Sequence, residues 1–253
     1  MTCVNVVIPH FNTPDVLQQC LQSIKAHTPE AHRIIVVDDG SAPEIREGLW
    51  QLKRECEFDL LPLLENKGFT EAVNAGIKEA EPFGGDYLLL NSDMVVSPGW
   101  LEALQGALAE GESIGIVCSQ TRDGYDESFV QCGGCVKHSE HITGWADRGE
   151  CQEMRIDQDL YFPFASVLIR RQALQDVGLL DEQFKIYCSD EDWCRRAKAR
   201  GWLLCYQPRS IVYHKHGYTI GRRLHEEKFR KTLAQDQERF AKKYSKEAES
   251  IPA

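Results

Sequence analysis

Nowhere in the 253 residues does an apolar run approach the ~18 residues that a bilayer-spanning helix needs. The opening stretch, MTCVNVVIPHFN, has no basic leader and only a short apolar run, so no secretory signal is expected there. A basic surplus is missing too: 29 Lys and Arg stand against 39 Asp and Glu, for a formal net charge of -10. That argues against a general nucleic-acid binder, whose affinity rests on neutralising phosphates with cations. It leaves room for a small phosphorylated ligand held by a few local groups and one metal ion. No Gly-x-Gly-x-x-Gly follows the first predicted strand, and Gly-x-x-x-x-Gly-Lys-Ser/Thr occurs nowhere. A dinucleotide fingerprint and a P-loop are thereby excluded. Internal repeats, low-complexity tracts and obvious linkers are also absent.

What is present is a globular composition. Apolar residues make up 42% of the chain, enough for a core in one large domain or two small ones. Ten cysteines are scattered through predicted strands and helices. Without a leader, reduced thiols in a cytoplasmic protein are expected. One cluster, CGGCVKHSEH, sets Cys132, Cys135, His138 and His141 three residues apart. Zinc fingers usually separate their ligand pairs by about a dozen residues, so this cluster reads as a turn with incidental cysteines.

The hydrophobic pattern alternates strand and helix. Val4, Val6, Val7 and Ile8 form a buried strand that Pro9 ends. A helix follows, with Thr13 as its cap, Pro14 in its first turn, and Val16, Leu17, Cys20, Leu21 and Ile24 on one face. The apolar run RIIVV then stops at Asp38 and Asp39. Strand, helix, strand with short links is a βαβ unit, so the sheet should begin parallel. A helix near 43–54, a strand in 58–64, a helix from NKGFTEAVNAGIKEA and a strand at 87–90 continue it. Beyond these come a helix starting at Pro98 and the strand IGIVCSQ. Periodicity fades from about 121 to 165, a section long enough for hairpins and a substrate loop. Order returns with SVLI, a short helix stopped by Gly178, and the helix DEDWCRRAKARGW. WLLCY and SIVYHKH read as two short strands, and 222–247 as a charged helix.

Four polar clusters stand out. Asp38 and Asp39 follow the second strand, and NSD (Asn91, Ser92, Asp93) follows the strand at 87–90. YHKHG carries His214 and His216, and Asp190, Glu191 and Asp192 open a helix. Each has a plain reading. Asp, Asn, Ser and Gly favour turns, carboxylates favour helix N-termini by ~0.3–1 kcal/mol each, and a histidine pair at a strand edge is often structural. Their joint placement at sheet edges and helix starts points instead to one charged crevice, because ligands of open parallel sheets sit outside the carboxyl ends of the strands.

The segments VVIPHFN, IIVVDDGS, NKGFTEAVNAGI, YLLLNSDMVVSPGWLEAL, GLLDEQFKIYCSDEDWCRRAKARGW and VYHKHG, running from residue 4 to about 217, are the carriers of a resemblance. Together they resemble the inverting glycosyltransferases of family 2, and within them the bacterial rhamnosyltransferase-like members. The resemblance implies an α/β protein of the GT-A fold: a Rossmann-like, mostly parallel central sheet flanked by helices, with a C-terminal helix. It divides the chain into a glycosyltransferase domain over 1–221 and a charged C-terminal helix over 222–253. Within the domain, 1–120 is a nucleotide-binding half and 121–221 an acceptor-binding half. Pro9 and Asp39 match positions lining the nucleotide base, with Asp39 accepting the imide hydrogen of uracil or thymine and Asp38 supporting the turn. Asn66, Gly68 and Asn74 match the segment flanking the nucleoside, and Ser92 joins the nucleotide site. Asp93 matches the last residue of the Asp-x-Asp motif that holds a divalent metal, Mn2+ or Mg2+, against the diphosphate; Asn91 replaces the first Asp. His214 matches a histidine completing that site, with His216 as a second candidate. Asp190 matches the general base, Ser189 replaces the glutamate usual before it, and Asp192 is a supporting acceptor-site carboxylate.

The implied activity is metal-dependent transfer of a sugar, with inversion, from a UDP- or dTDP-linked donor to an acceptor hydroxyl in cell-surface glycan synthesis. Glycan, lipid-linked and protein acceptors all stay open, as do peripheral contact with the inner face of the membrane and a homodimer. No nucleic-acid partner is expected. Arg222, Arg223, Lys228, Arg230 and Lys231 are read as a solvated helix face in preference to a diphosphate or membrane contact. Two rivals remain. A nucleotidyltransferase is disfavoured because PHFNTPD is neither glycine-rich nor basic. A non-catalytic nucleotide-sugar-binding or scaffold domain is kept in play by Asn91 and Ser189.

Overall fold

The structure is a computed structural model that describes residues 3–124, 129–131, 134–137, 140–142, 145–147, 154–157, 160–215 and 225–248. Its first half runs β1 (Val4–His10), α1 (Pro14–His27), β2 (His32–Asp38), α2 (Pro43–Cys56), β3 (Asp59–Pro62), α3 (Phe69–Ala80), β4 (Asp86–Leu90), β5 (Met94–Val96) and α4 (Trp100–Ala109). The second half runs β6 (Ile114–Asp123), β7 (Phe129–Gln131), β8 (Gly134–Lys137), β9 (Glu140–Ile142), β10 (Trp145–Asp147), β11 (Arg155–Asp157) and β12 (Leu160–Tyr161). It ends with β13 (Ser166–Ile169), α5 (Arg171–Val177), α6 (Ser189–Ala199), β14 (Leu203–His214) and the C-terminal helix α7 (Glu227–Ala248).

The central sheet is ordered β10-β7-β6-β13-β4-β1-β2-β3. β3, β2, β1 and β4 are mutually parallel, as the βαβ pattern requires. The connections leave β1 toward β2 and return to β4 on its other side. The strand order therefore reverses between β1 and β4, and a crevice opens outside their carboxyl ends. β13 lies antiparallel between β4 and β6. β14 runs parallel to β6 and antiparallel to β5, carrying its far end back to the NSD turn.

Strand residues alternate between two apolar layers. Val4, Val6, Ile8, Ile34, Val36, Leu88 and Leu90 face α1, α2 and α4. Val7, Ile35, Val37, Leu89, Ile116 and Cys118 face α3, α5 and α6. α3 lies close on the sheet: a Cβ on Gly76 would come within 2.4 Å of Val7 Cγ1 and 2.9 Å of Val37 Cγ2.

Three local expectations shift. Thr13 does precede α1, but its side chain makes no cap bond; its N–H instead donates to His10 Nε2 at 3.1 Å. α4 begins at Trp100 rather than Pro98, after Gly99 in a left-handed conformation at φ 76°. WLLCY and SIVYHKH belong to one strand, β14, broken by a register shift between Gln207 and Ile211. Pro208 lies in that break; it has no N–H for the ladder, so the chain bulges and the pattern looks like two strands. The Cys135 and His141 backbones lie in β8 and β9, which pair. Cys132 and His138 fall outside the described residues, so the zinc question does too.

Candidate active site

The carboxyl ends of β1 and β2 are stitched together before any ligand is considered. Asn12, at φ 53°, donates its N–H to Ser41 Oγ at 2.9 Å, and its side-chain oxygen accepts from the Ala42 N–H at 2.9 Å. Asp38 is fully buried beneath this joint. Its carboxylate accepts from the Ser41 N–H at 3.2 Å and from Arg46 Nε at 2.9 Å, and lies 3.6 Å from His10 Nδ1. Burial alone would raise its pKa, but the His10 ring beside it and the bonds from Ser41 and Arg46 outweigh it and hold the carboxyl down at about 2. Asp38 is thus a turn support that is charged at neutral pH. His10 and Arg46, which the sequence did not single out, complete it.

Asp39 turns the other way. Its carboxylate accepts the N–H groups of Lys67 at 2.7 Å and Gly68 at 2.9 Å and the Asn66 amide at 2.8 Å. These bonds bring Asn66 and Gly68 beside Asp39; Pro9, half-buried next to the last residue of β1, pairs with Val37 of β2. The joint needs two glycines. Gly40 has φ 73°, and a Cβ there would lie 2.4 Å from Asn66 N; Gly68 has φ 96°, and a Cβ there would lie 2.5 Å from Lys185 O. Asn74 does not join them. Its amide donates to Leu180 O at 2.9 Å and to Glu182 Oε1 at 3.0 Å, while its oxygen accepts the Leu180 N–H at 3.0 Å. Three of the four hydrogen bonds its amide can make clamp the 180–182 segment to α3, and the side chain is buried.

Beyond β4 the chain makes the NSD turn. Ser92 and Asp93 are buried, at 6% and 5% exposure. The Lys215 N–H donates to Asp93 O at 3.1 Å, and His214 pairs with Met94 across the β14–β5 ladder. This brings His214 Nε2 to 3.2 Å from Asp93 Oδ1. A carboxylate and an imidazole from the two halves of the chain thus converge. His216 lies outside the described residues. No group of three or more His, Cys, Asp or Glu side chains suited to a metal occurs among the described residues. The donor set nevertheless fits a divalent cation whose remaining ligands are phosphate oxygens and water, since Mg2+ and its analogues keep waters and take only one or two protein ligands.

The acidic triplet of α6 divides three ways. Glu191 is buried against Arg195, its Oε1 accepting at 2.9 and 3.0 Å. Asp192 is fully buried; it accepts from Arg196 Nε at 2.8 Å, from Tyr244 OH at 2.7 Å and from Lys243. Both its oxygens are occupied by α6 and α7, which removes it from direct contact with an acceptor. Asp190 has no cationic partner among the described residues. It is half-buried, and its Oδ1 accepts the Glu191 N–H at 2.9 Å. Burial pushes its carboxyl up to about 6, against the pull of the Glu191 N–H and with a further push from the Glu191 charge. The residue just before the helix, Cys188, sits at φ 67°, a left-handed conformation costly for a side chain with a Cβ. Tyr161 lies near enough to Asp190 for its phenol to be raised to about 12, first by burial and then by that charge.

One further residue shapes this side. Asp236 of α7 is fully buried, and its carboxylate accepts the N–H groups of Lys185, Ile186 and Tyr187 at 2.8–3.1 Å. Lys185 O in turn accepts the Thr70 N–H at 3.2 Å, next to Gly68. α7 is therefore a brace behind the segment that carries Asp190. The signal was in the sequence: Phe229, Leu233, Asp236, Phe240 and Tyr244 recur at helical spacing, placing an aspartate on the apolar stripe. Lys228, Arg230 and Lys231 are exposed, as the solvated-face reading has it.

Comparison with known proteins settles the lineage. The family model described as glycosyl transferase family 2 matches residues 5–178. The chain belongs to that family. It is 29% identical over 216 residues to the pre-mycofactocin glycosyltransferase of Mycobacterium tuberculosis, covering 84% of this chain and 43% of the relative. It is 27% identical over 239 residues to the N-acetylglucosaminyl-diphospho-decaprenol L-rhamnosyltransferase of the same organism, covering 86% and 77%. The chain thus spans less than half the length of the first of these relatives. Among solved structures it resembles GalNAc-T7 with UDP, GalNAc and Mn2+, at TM-score 0.69 and 18% identity over 83% of this chain and 42% of that one. It also resembles the mannosyltransferase PcManGT of Pyrobaculum calidifontis with GDP-Man and Mn2+, at TM-score 0.65 and 15% identity over 99% and 65%. The fold of this family 2 member is accordingly GT-A, and its crevice is the one outside β1, β2 and β4.

Proposed function

We propose that this family 2 protein is an inverting glycosyltransferase that moves a sugar from a UDP- or dTDP-linked donor to an acceptor hydroxyl in glycan synthesis. The observation that carries the reading is the meeting of Asp93 and His214 at 3.2 Å, at the end of the crevice where the strand order reverses. Hard oxygen and imidazole donors suit Mn2+ or Mg2+. When bound there, such a cation supplies neutralisation for the diphosphate as it departs. Pro9, Asp39, Asn66 and Gly68 form the pocket for the base, with the loops fixed by Asp38 and Asn12. In this reading the Asp39 carboxylate, fixed by Asn66, Lys67 and Gly68, faces the imide hydrogen of the base.

Asp190 takes the proton of the acceptor hydroxyl as that oxygen attacks the anomeric carbon from the face opposite the leaving group. One displacement forms the new C–O bond, breaks the bond to the diphosphate and inverts the carbon. A base held near 6 is ionised at neutral pH yet more basic than an exposed carboxylate, which is the compromise general-base catalysis needs. Asp192 acts behind it by holding α6 to α7. The acceptor is a glycan, a lipid-linked saccharide or a protein. We place the reaction in the cytoplasm, at the inner face of the membrane where the acceptor is lipid-linked.

Titrating UDP, dTDP, GDP and CDP, each with and without Mn2+, onto the wild type and Asp93→Ala tests this. The expected result is metal-dependent binding of a uridine or thymidine diphosphate, weakened at least tenfold in the variant. Binding without turnover of any matched sugar donor would favour the non-catalytic domain, and binding of none would sink the transferase reading.

A further inference from the structure

Outside the site just described lies a cation that the mechanism does not use. Arg122, at the end of β6, is 8% exposed. Its Nε donates to Gln120 Oε1 at 3.0 Å, and its Nη1 lies 3.5 Å from Tyr213 OH, with the guanidinium 5.9 Å from the Tyr213 ring. Gln120 is itself fixed by Tyr206, its amide donating to the phenol oxygen at 3.1 Å. Among the described residues no carboxylate pairs with Arg122. That is a costly way to keep an arginine, because a charge taken out of water needs a counter-charge to repay its desolvation. The neutral oxygens of Gln120 and Tyr213 orient the guanidinium without neutralising it, and a guanidinium has five N–H donors.

Placement says which ligand it serves. Ile116, Cys118, Gln120 and Arg122 alternate along β6, so they share one face of the sheet. Ile116 and Cys118 pack in the layer with Trp193 and Cys194 of α6, which is the layer of Asp190. Met94 and Val212, which flank the Asp93–His214 pair, pack in the opposite layer with Cys20 of α1. The Asp93 charge is also felt by the Cys20 thiol, whose pKa burial and that charge both raise. Arg122 therefore stands on the side of the base, across the sheet from the metal-type ligands.

We propose that Arg122 is the receptor for an oxyanion, phosphate or carboxylate, carried by the acceptor. The proposal rests on the transferase reading and deepens it: the acceptor is anionic close to the hydroxyl that reacts. A planar guanidinium held by its inner edge presents paired N–H groups that suit either oxyanion.

The test compares wild type with Arg122→Gln and Arg122→Lys. Each is saturated with Mn2+ and the nucleoside diphosphate that binds, then titrated with inorganic pyrophosphate and, separately, with glucuronate. The expected result is that one probe binds the loaded wild type, weakens at least tenfold in Arg122→Gln and partly recovers in Arg122→Lys, while nucleoside diphosphate affinity stays unchanged. A tenfold loss of nucleoside diphosphate affinity in Arg122→Gln would assign the cation to the donor and overturn the proposal. Probe binding that ignores both substitutions would overturn it as well. Thermal melting guards against a folding defect. Removing an uncompensated cation should leave the melting temperature unchanged or raise it, whereas a fall would show that Arg122 is structural. If no nucleoside diphosphate binds the wild type, the transferase reading fails. Arg122-dependent binding of a probe to the unloaded protein would then keep the anion site and discard its assignment to an acceptor.

Discussion

Asp39 receives its bonds from residues 27 to 29 positions away, through the loop that follows β3. Asp192 receives two of its own from residues 51 and 52 positions away, in α7. The contrast holds for the two sides of the crevice as a whole. On the donor side, Asp38, Asp39 and Asn12 are bonded by groups from residues 41 to 68, so the joint is built from the first third of the chain. On the acceptor side, the segment from Asp181 to Asp192 is held from behind by α7, through Asp236, Lys243 and Tyr244. There Asp190 alone of its triplet has backbone donors and, among the described residues, no cation. The lesson is a division of labour. The donor side spends its carboxylates on structure and binding, and the acceptor side keeps one in reserve for proton transfer.

The hardest way to break this contrast is at the carboxylate kept for proton transfer. Asp190→Asn should lower the transfer rate by ~10²–10⁴-fold, the usual worth of a positioned general base. Nucleoside diphosphate affinity should stay as in the wild type. Steady-state kinetics beside a binding titration separates the two effects. A variant that loses donor affinity along with rate would place Asp190 on the donor side and dissolve the division.

Next in size is the donor turn. Asp38→Asn keeps the shape but removes the charge that Arg46 and His10 face, and breaking such a buried pair costs about 3 kcal/mol. Urea unfolding should show a lower midpoint with an unchanged slope. An unchanged midpoint would mean that the turn is held by its backbone alone.

The brace is smaller. Asp236→Ala leaves three N–H groups of residues 185–187 without their acceptor and should cost about 1–3 kcal/mol. Hydrogen exchange at Lys185, Ile186 and Tyr187 should quicken, while exchange at Lys67 and Gly68, held by Asp39, should not. Equal quickening in both places would show one cooperative unit instead of two sides.

The same contrast explains what the sequence could show. Turns built from local chain leave local signals: β1 through α3, the DDG turn and the NSD turn could all be placed from periodicity and turn chemistry. Asp93 and His214 were reachable because each ends an apolar strand. The α7 brace was harder, since in a tail rich in Lys and Glu one buried aspartate looks like its exposed neighbours until the apolar stripe is traced. Asn74 and Asp192 received their roles from the positions they match in the family; only packing shows that Leu180 and Glu182 bond the one and that Arg196 and α7 bond the other. Arg122 gave no signal, because a lone arginine on a strand is notable only once its burial and its missing carboxylate are known.

The smallest effect is also the sharpest, because its sign differs between the two sides. Asp38 is held at about 2, below the ordinary aspartate value of 3.8, so its contribution to stability is present above pH 3.8 and is lost as pH falls toward 2. Asp190 is held at about 6, above the same reference, so the native state takes up its proton first. Its contribution is complete below pH 3.8 and is lost as pH rises through 6. Melting temperatures from pH 3 to 8 for the wild type, Asp38→Asn and Asp190→Asn expose both. The gap between wild type and Asp190→Asn should change between pH 4 and 6, and the gap for Asp38→Asn only below pH 4. Activity adds an independent reading: kcat/KM should fall below pH 6 as Asp190 protonates, although melting shows the fold gaining stability from that same proton. A rate limb near pH 4 would mean that water reaches Asp190 as freely as it reaches a surface carboxylate, and that the acceptor side holds no carboxylate in reserve.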